Sequence, residues 1–325
     1  MKIYRVEQPG GDFIETVVPD PIPKAGEVLV RIHASGVNPL DTKIRAGLAE
    51  HAEQPLPAVL GLDMAGIVEE VAEGVTAFTR GDEVYGMTGG VGGLQGSLAE
   101  FVAADARLLA HKPKTLSMRE AAALPLSTIT AWEGLVDRAG VREGQTVLIH
   151  AGAGGVGHIA VQIAHAFGAQ VFATVSADKA EIATRFGATP IDYKALSVEA
   201  YLAKYTGGAG FDIVYDTVGG KTLDDSFASV RRYTGHVLSC LGWGSHSLAP
   251  LSFLGATYSG VFTLIPLISG EGRAHHGEIL SAAAKLADEG KLKPLLSKEH
   301  FDAAAISRGH ALVESGSLGK VVVEF

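Results

Sequence analysis

Gln145-Thr146-Val147-Leu148-Ile149-His150-Ala151-Gly152-Ala153-Gly154-Gly155-Val156-Gly157 is the stretch whose reading decides the fold. Val147 to Ile149 is a short apolar run that reads as a buried strand. It feeds G-x-G-x-x-G at Gly152, Gly154 and Gly157, and His158 to Phe167 then carries apolar residues at helical spacing. A lone glycine motif in a chain with 41 glycines is weak; a strand before it and a helix after it make it specific. In a dinucleotide-binding unit Gly152 makes the tight turn and Gly154 lets the backbone approach a pyrophosphate. Gly157 lets the helix pack on the sheet, and Gly155 and Val156 complete the turn at a helix N-terminus that favours phosphate charge. The stretch predicts a bound dinucleotide.

Which dinucleotide depends on the end of the next strand, Gln170 to Val175. A site for NAD places Asp or Glu about 20 residues past the glycines, on the ribose hydroxyls. Here Ser176 takes that place, followed by Ala177, Asp178 and Lys179. A hydroxyl and an ammonium bind a 2′-phosphate, whereas a carboxylate repels it. Asp178 reads either as a displaced ribose acid or as the cap of the helix starting at Lys179. The balance of charge favours NADPH.

The chain of 325 residues is long enough for two domains, and 47% hydrophobic with 19% charged residues describes a globular protein. A net charge of −9 without a basic run argues against nucleic acid or an anionic membrane as partner. Cys240 is the single cysteine, so internal disulfides and multi-cysteine zinc sites are excluded. Met1 to Gly11 has no apolar signal core, and no stretch approaches the ~20 apolar residues of a membrane span. A reducing cytoplasm is the expected setting.

Residues 1 to 110 read as strands and turns, Glu27 to Ala34 alternating strongly, and imply a small barrel. His33 and His51 have no ligand-spaced partners. Ser117-Met118-Arg119-Glu120 is a capping box for a helix that Pro125 ends, and Thr128 to Ala139 reads as a second helix. After the glycine stretch come strands at Pro190–Tyr193, Phe211–Asp216 and His236–Cys240, with helices between them. Alternating strands and helices imply an α/β, doubly wound parallel sheet. His276 to Glu289 and Phe301 to Ser315 read as helices, and Lys320 to Phe325 as a final strand. His275-His276 reads as a solvated helix start, because adjacent rings diverge on a helix.

With these residues in hand, the chain resembles the zinc-free quinone oxidoreductase branch of the medium-chain dehydrogenase/reductase superfamily. The likeness rests on Gly36-Val37-Asn38-Pro39-Leu40-Asp41 (G-x-N-x-x-D) and Gly61-Leu62-Asp63-Met64-Ala65-Gly66 (G-x-D-x-A-G). It extends to Asp216-Thr217-Val218-Gly219 (D-x-V-G) and to Gly319-Lys320-Val321-Val322 at the end. The resemblance implies a GroES-like β-barrel catalytic domain from residues 1–124 and 261–325, with a Rossmann domain at 125–260 inserted between them. It also implies that Tyr193, Val218, Gly242 and Lys320 join Ser176 and Lys179 around the cofactor.

Zinc-dependent relatives hold their metal with Cys, His and Cys at positions that correspond here to Asn38, Leu62 and Leu126. Two leucines and an amide are not a zinc site, so no metal is expected. Without a Lewis acid an alcohol is a hard substrate. A quinone or an α,β-unsaturated carbonyl is easier, since hydride addition leaves a delocalised oxyanion. Asn38 is the candidate donor to that oxygen, although a plain turn residue before Pro39 is the alternative reading. Thr130 resembles the family threonine near the nicotinamide, with a capping role as its alternative. The tyrosine that many relatives carry as G-x-Y is absent, because Leu48 and Ala49 follow Gly47. Trp243, Phe262 and Leu264 are the candidate lining of an apolar pocket, with plain core packing as the alternative.

The expected partners are a small-molecule quinone or enone and a second copy of the chain. The apolar segments Ala249–Leu254 and Val261–Ile268 follow the last Rossmann strand, so at least one is expected near a sheet edge. A two-fold dimer covers such an edge. Two other functions fit the same residues, a non-catalytic NADPH-binding protein and a metal-free reductase of simple carbonyls.

Overall fold

The computed structural model describes residues 1–325, which divide into two compact units, Met1–Ile129 with Leu264–Phe325 and Thr130–Thr263.

The second unit is built on a six-stranded, fully parallel sheet. Its order is Ala188–Asp192, Gln170–Val175, Thr146–Ile149, Ile213–Asp216, His236–Ser239, Thr257–Gly260. Counted along the chain this is 3-2-1-4-5-6, the doubly wound order whose switch point lies beside the first strand. Thr146–Ile149 is therefore central and Val147, Leu148 and Ile149 are fully buried, which is why the run is apolar without alternation. Phe172 and Phe211 pack with ring centroids 5.3 Å apart in the core on one face of the sheet, together with Tyr201 and Phe227.

The first unit holds a seven-stranded sheet that joins both ends of the chain. The C-terminal strand Val321–Glu324 pairs antiparallel with Glu27–Val37, which pairs in turn with Asp63–Val71 and Phe101–Asp105. Val28, Val30, Ile32, Met64 and Val84 fill its core, the inward half of the alternation read from Glu27 onward. Gly66 lies so close to the neighbouring strand that a Cβ there would stand 2.1 Å from the Arg31 carbonyl oxygen.

Several elements differ from the sequence expectation. Pro125 opens the helix Pro125–Trp132 instead of ending one; proline lacks the N–H that a first turn leaves unpaired anyway. The helix continues as a π-turn, Glu133–Arg138, where Gly134 lets the Tyr215 ring approach to 2.8 Å of where a Cβ would stand. Phe301–Asp302 is a strand paired with Val321–Glu324, so the expected helix shortens to Ile306–Glu314. His276 is not solvated: the helix starts earlier, at Arg273, and buries His276 completely, while His275 stays outside at 3.1 Å from Glu278. Ala249–Leu254 is a helix, and the sheet edge is instead the exposed strand Thr257–Gly260.

Candidate active site

In the second unit the glycine turn is shaped by backbone contact. A Cβ on Gly152 would lie 2.4 Å from the Ala173 Cβ, and one on Gly157 would lie 2.1 Å from the Ala151 carbonyl oxygen. Gly154 is looser, at 3.1 Å from the same oxygen. Ala151 itself has φ +52°, the strained corner of the turn. The helix Gly157–Ala166 starts at the end of this turn with Val156 as its cap, and its first N–H groups have no intrahelical acceptor. Gly155 is exposed on the same turn.

A cleft of about 640 Å³ opens here, and its lining includes His150, Ala151, Gly154, Ser176, Lys179 and Tyr193. Of the residues expected at the pyrophosphate Gly154 lines this cavity, together with the three expected at the 2′-phosphate and with Val218. This arrangement fits a dinucleotide: a side chain at Gly152 or Gly157 would collide with its neighbours, and the cleft carries a hydroxyl and an ammonium, groups that bind phosphate. Hydrogen bonding from the Ser176 hydroxyl, with the Lys179 and Lys194 charges, holds the Asp178 carboxyl below its usual range. Sequence reasoning did not single out Lys194, whose ammonium stands 5.9 Å from the centre of the Tyr193 ring. The Val218 loop is fixed by Asp216, which accepts from the N–H groups of Val218 and Gly219 at 3.0 and 2.9 Å and from Ser239 Oγ at 2.7 Å.

Gly242 and the expected pocket aromatics lie on one stretch of this unit. A Cβ on Gly242 would meet the Tyr258 hydroxyl at 2.4 Å. Trp243 and Phe262 meet edge to face with centroids 6.1 Å apart, and Trp243 remains half exposed. Thr130 is buried, and its carbonyl accepts from the Tyr215 hydroxyl at 2.6 Å.

The first unit places Asn38 inside a buried ionic cluster. Asn38 caps the helix Pro39–Arg45, and its N–H donates to Asp41 Oδ2 at 2.7 Å. Asn38 Nδ2 donates to Asp63 Oδ2 at 2.9 Å, and the Lys320 ammonium donates to Asn38 Oδ1. Lys320 Nζ also stands 3.8 Å from Asp63 Oδ2, and the Asp63 carboxylate accepts a second hydrogen bond from the Leu126 N–H at 2.9 Å. All four polar side chains are at most 5% exposed. Burial pushes the Asp63 carboxyl up to about 6 against the pull of Lys320, and Asp41 up to about 7; burial pushes the Lys320 ammonium down. The Lys320 side chain, expected at the cofactor, is thus committed to Asn38 and Asp63.

The other expected positions are plain. Leu264 is buried in this first unit. Leu62 is fully buried hydrocarbon, and no group of three or more His, Cys, Asp or Glu side chains could hold a metal ion. The residues therefore do not fit zinc. Elsewhere in this unit the buried Tyr85 hydroxyl donates to the Leu280 carbonyl at 2.7 Å.

Comparison with known proteins agrees with this geometry. Residues 24–114 match the alcohol dehydrogenase GroES-like domain family and residues 155–263 the zinc-binding dehydrogenase family. An NADPH-dependent alkenal/one oxidoreductase of Arabidopsis thaliana is 34% identical, over 95% of this chain and 75% of its own length. A human quinone oxidoreductase is 28% identical over 99% of this chain and 97% of its own. Among solved structures, an alcohol dehydrogenase superfamily protein from Novosphingobium aromaticivorans superimposes with a TM-score of 0.98 at 55% identity, covering 100% of this chain and 99% of that one. No helix is long and apolar enough to cross a membrane. The chain belongs to the medium-chain dehydrogenase/reductase superfamily of nicotinamide-dependent oxidoreductases, in its quinone oxidoreductase branch.

Proposed function

We propose that the chain reduces a quinone or an α,β-unsaturated carbonyl with NADPH and without a metal ion, as a cytoplasmic homodimer. The observation that carries this reading is the setting of Asn38 at the position where zinc-dependent relatives place a ligand. Its carbonyl oxygen is taken by Lys320 and one amide hydrogen by Asp63. The second amide hydrogen is the donor for a substrate oxygen.

When bound, NADPH supplies the hydride. Asn38 stabilises the negative charge that reaches the carbonyl or quinone oxygen as the hydride adds, and a proton from solvent completes the reduction. Lys320 and Asp63 keep the amide from rotating, so its donor is oriented before reaction. Thr130 is the proposed neighbour of the nicotinamide, and Trp243 and Phe262 offer an apolar face to a flat acceptor. Gly152, Gly154, Gly155, Val156 and Gly157 hold the pyrophosphate, with Val218 and Gly242 on the adjoining loops. Ser176, Lys179 and Tyr193 hold the 2′-phosphate, and the two ammonium groups of Lys179 and Lys194 outweigh Asp178 there. The name of the Arabidopsis relative, an NADPH-dependent alkenal/one oxidoreductase, points the same way.

NADPH oxidation by protein treated with EDTA, against a panel of quinones, alkenals and saturated ketones, tests this. Turnover with the conjugated acceptors alone, unchanged by EDTA, is the expected result. Stoichiometric zinc in tag-free protein, with activity lost to EDTA, would contradict it.

A further inference from the structure

His150 directly follows the central strand Thr146–Ile149 and lines the cleft beside the glycine turn, yet the glycine motif assigns it no part. It is 4% exposed, and its backbone is fixed by bonds from its N–H to the Tyr215 carbonyl and from Thr217 Oγ1 to its own carbonyl. Its ring is held by one contact, Nδ1 at 3.1 Å from Thr174 Oγ1. Thr174 Oγ1 also accepts from the Ala151 N–H at 3.2 Å, and Thr174 is 5% exposed.

The Thr174 hydroxyl has one hydrogen, and its only possible acceptor among its contacts is His150 Nδ1. The opposite assignment would leave a buried hydroxyl hydrogen without an acceptor, which costs about 1–3 kcal/mol. Nδ1 is therefore the acceptor and the ring proton sits on Nε2. Burial pushes the ring pKa down to about 4, against the opposing charges of Asp216 and Asp225, so the ring is neutral near pH 7. Nε2–H is then a buried donor that no protein atom accepts. Buried donors of this kind are rare without a function.

We infer that His150, held by Thr174 in its Nε2–H tautomer, donates a hydrogen bond to an acceptor atom of the adenosine half of the bound dinucleotide. This rests on the dinucleotide reading of the cleft. The adenosine half is singled out because Ser176, Lys179 and Tyr193, the residues placed at the 2′-phosphate of its ribose, line the same cavity. The role is recognition by a neutral donor, and it asks Thr174 to act through His150 as a positioning residue.

Two measurements test it. In ¹⁵N-histidine-labelled wild-type protein, two-bond correlation spectra report which ring nitrogen carries the proton, with His150 assigned by the peak missing in His150→Leu. The proton is expected on Nε2 in the free protein and with 2′,5′-ADP bound, and the Nε2–H resonance is expected to shift on binding. A proton on Nδ1 in the bound state would overturn the inference. By calorimetry, His150→Leu is expected to raise Kd for NADPH and for 2′,5′-ADP about three- to tenfold, the worth of one neutral hydrogen bond. His150→Gln, which keeps a donor, is expected to recover most of that loss. Equal losses in the two variants would mark a packing role and overturn the inference, as would unchanged binding in His150→Leu or a loss confined to NADPH. A wild-type protein that binds no nicotinamide dinucleotide would overturn the reading of the cleft itself, and this inference with it.

Discussion

The Lys320 ammonium donates to Asn38 Oδ1 across 282 residues of chain, tying the residue before the last strand, Val321–Glu324, to the cap of the helix Pro39–Arg45. Asp63 completes the arrangement from the neighbouring strand, so one amide is held from both sides. A fixed amide is a better oxyanion donor than a rotating one, because no reorganisation accompanies the reaction.

Replacing Asn38 with Ala is therefore expected to lower kcat by about 10²-fold, the scale of losing one oxyanion donor, with the NADPH Kd unchanged. Lys320→Met removes the cation facing two buried carboxyls, and urea unfolding is expected to show a loss of about 3–5 kcal/mol. An Asn38→Ala enzyme with wild-type kcat would remove the amide from the mechanism.

The cofactor preference is expected to follow Lys179. Lys179→Ala should weaken NADPH binding by about 1–3 kcal/mol, roughly 5- to 150-fold, and leave NADH nearly unchanged. Calorimetric titration of both cofactors checks this; equal losses would place Lys179 away from the phosphate.

His310 provides a pH prediction. It is 1% exposed, its ring packs 4.6 Å from that of Phe13, and burial with the Arg45 charge pushes its pKa down to about 3. The folded value lies below the unfolded value of about 6.5, so the unfolded chain binds more protons between those values. Stability from this group is complete above about pH 6.5 and is lost as pH falls toward 3. The buried Asp41 and Asp63 act in the opposite sense, since their raised values favour the folded chain as pH falls. A variant isolates the histidine: His310→Leu is expected to lose about 1–2 kcal/mol less than wild type between pH 7 and pH 5 in urea unfolding. Parallel pH profiles for the two proteins would show that His310 is not buried neutral.

The edge strand Thr257–Gly260 pairs on one side only, and Phe253 and Tyr233 nearby are 83% and 80% exposed. A two-fold dimer that joins two such edges is expected. Light scattering at micromolar concentration should give twice the chain mass, and a monomer mass that persists as concentration rises would refute it.

The parts of the fold that were legible are those whose signal is local. Gln145 to Gly157 carries strand, turn and helix start within about thirteen residues, and the buried strand Ile213–Asp216 declares itself by the apolar run Ile213-Val214-Tyr215. Thr257–Gly260 was not legible because it is polar and exposed, held by its ladder to His236–Ser239 rather than by burial. The burial of His276 depends on where its helix begins, which Arg273 sets with no sequence cap to announce it. At the site, the glycine turn was readable from spacing, and Ser176 and Lys179 line one cleft with Gly154. The commitment of Lys320 to Asn38 was not, since a contact between the two ends of the chain leaves no trace in either neighbourhood.

The most direct test of the central claim is the fate of deuterium from NADPH labelled at the transferring C4 position, with an alkenone as acceptor and metal-free protein. The account predicts a saturated ketone carrying one deuterium on the β-carbon. An allylic alcohol labelled at the former carbonyl carbon, or a reduced product without label, would contradict it.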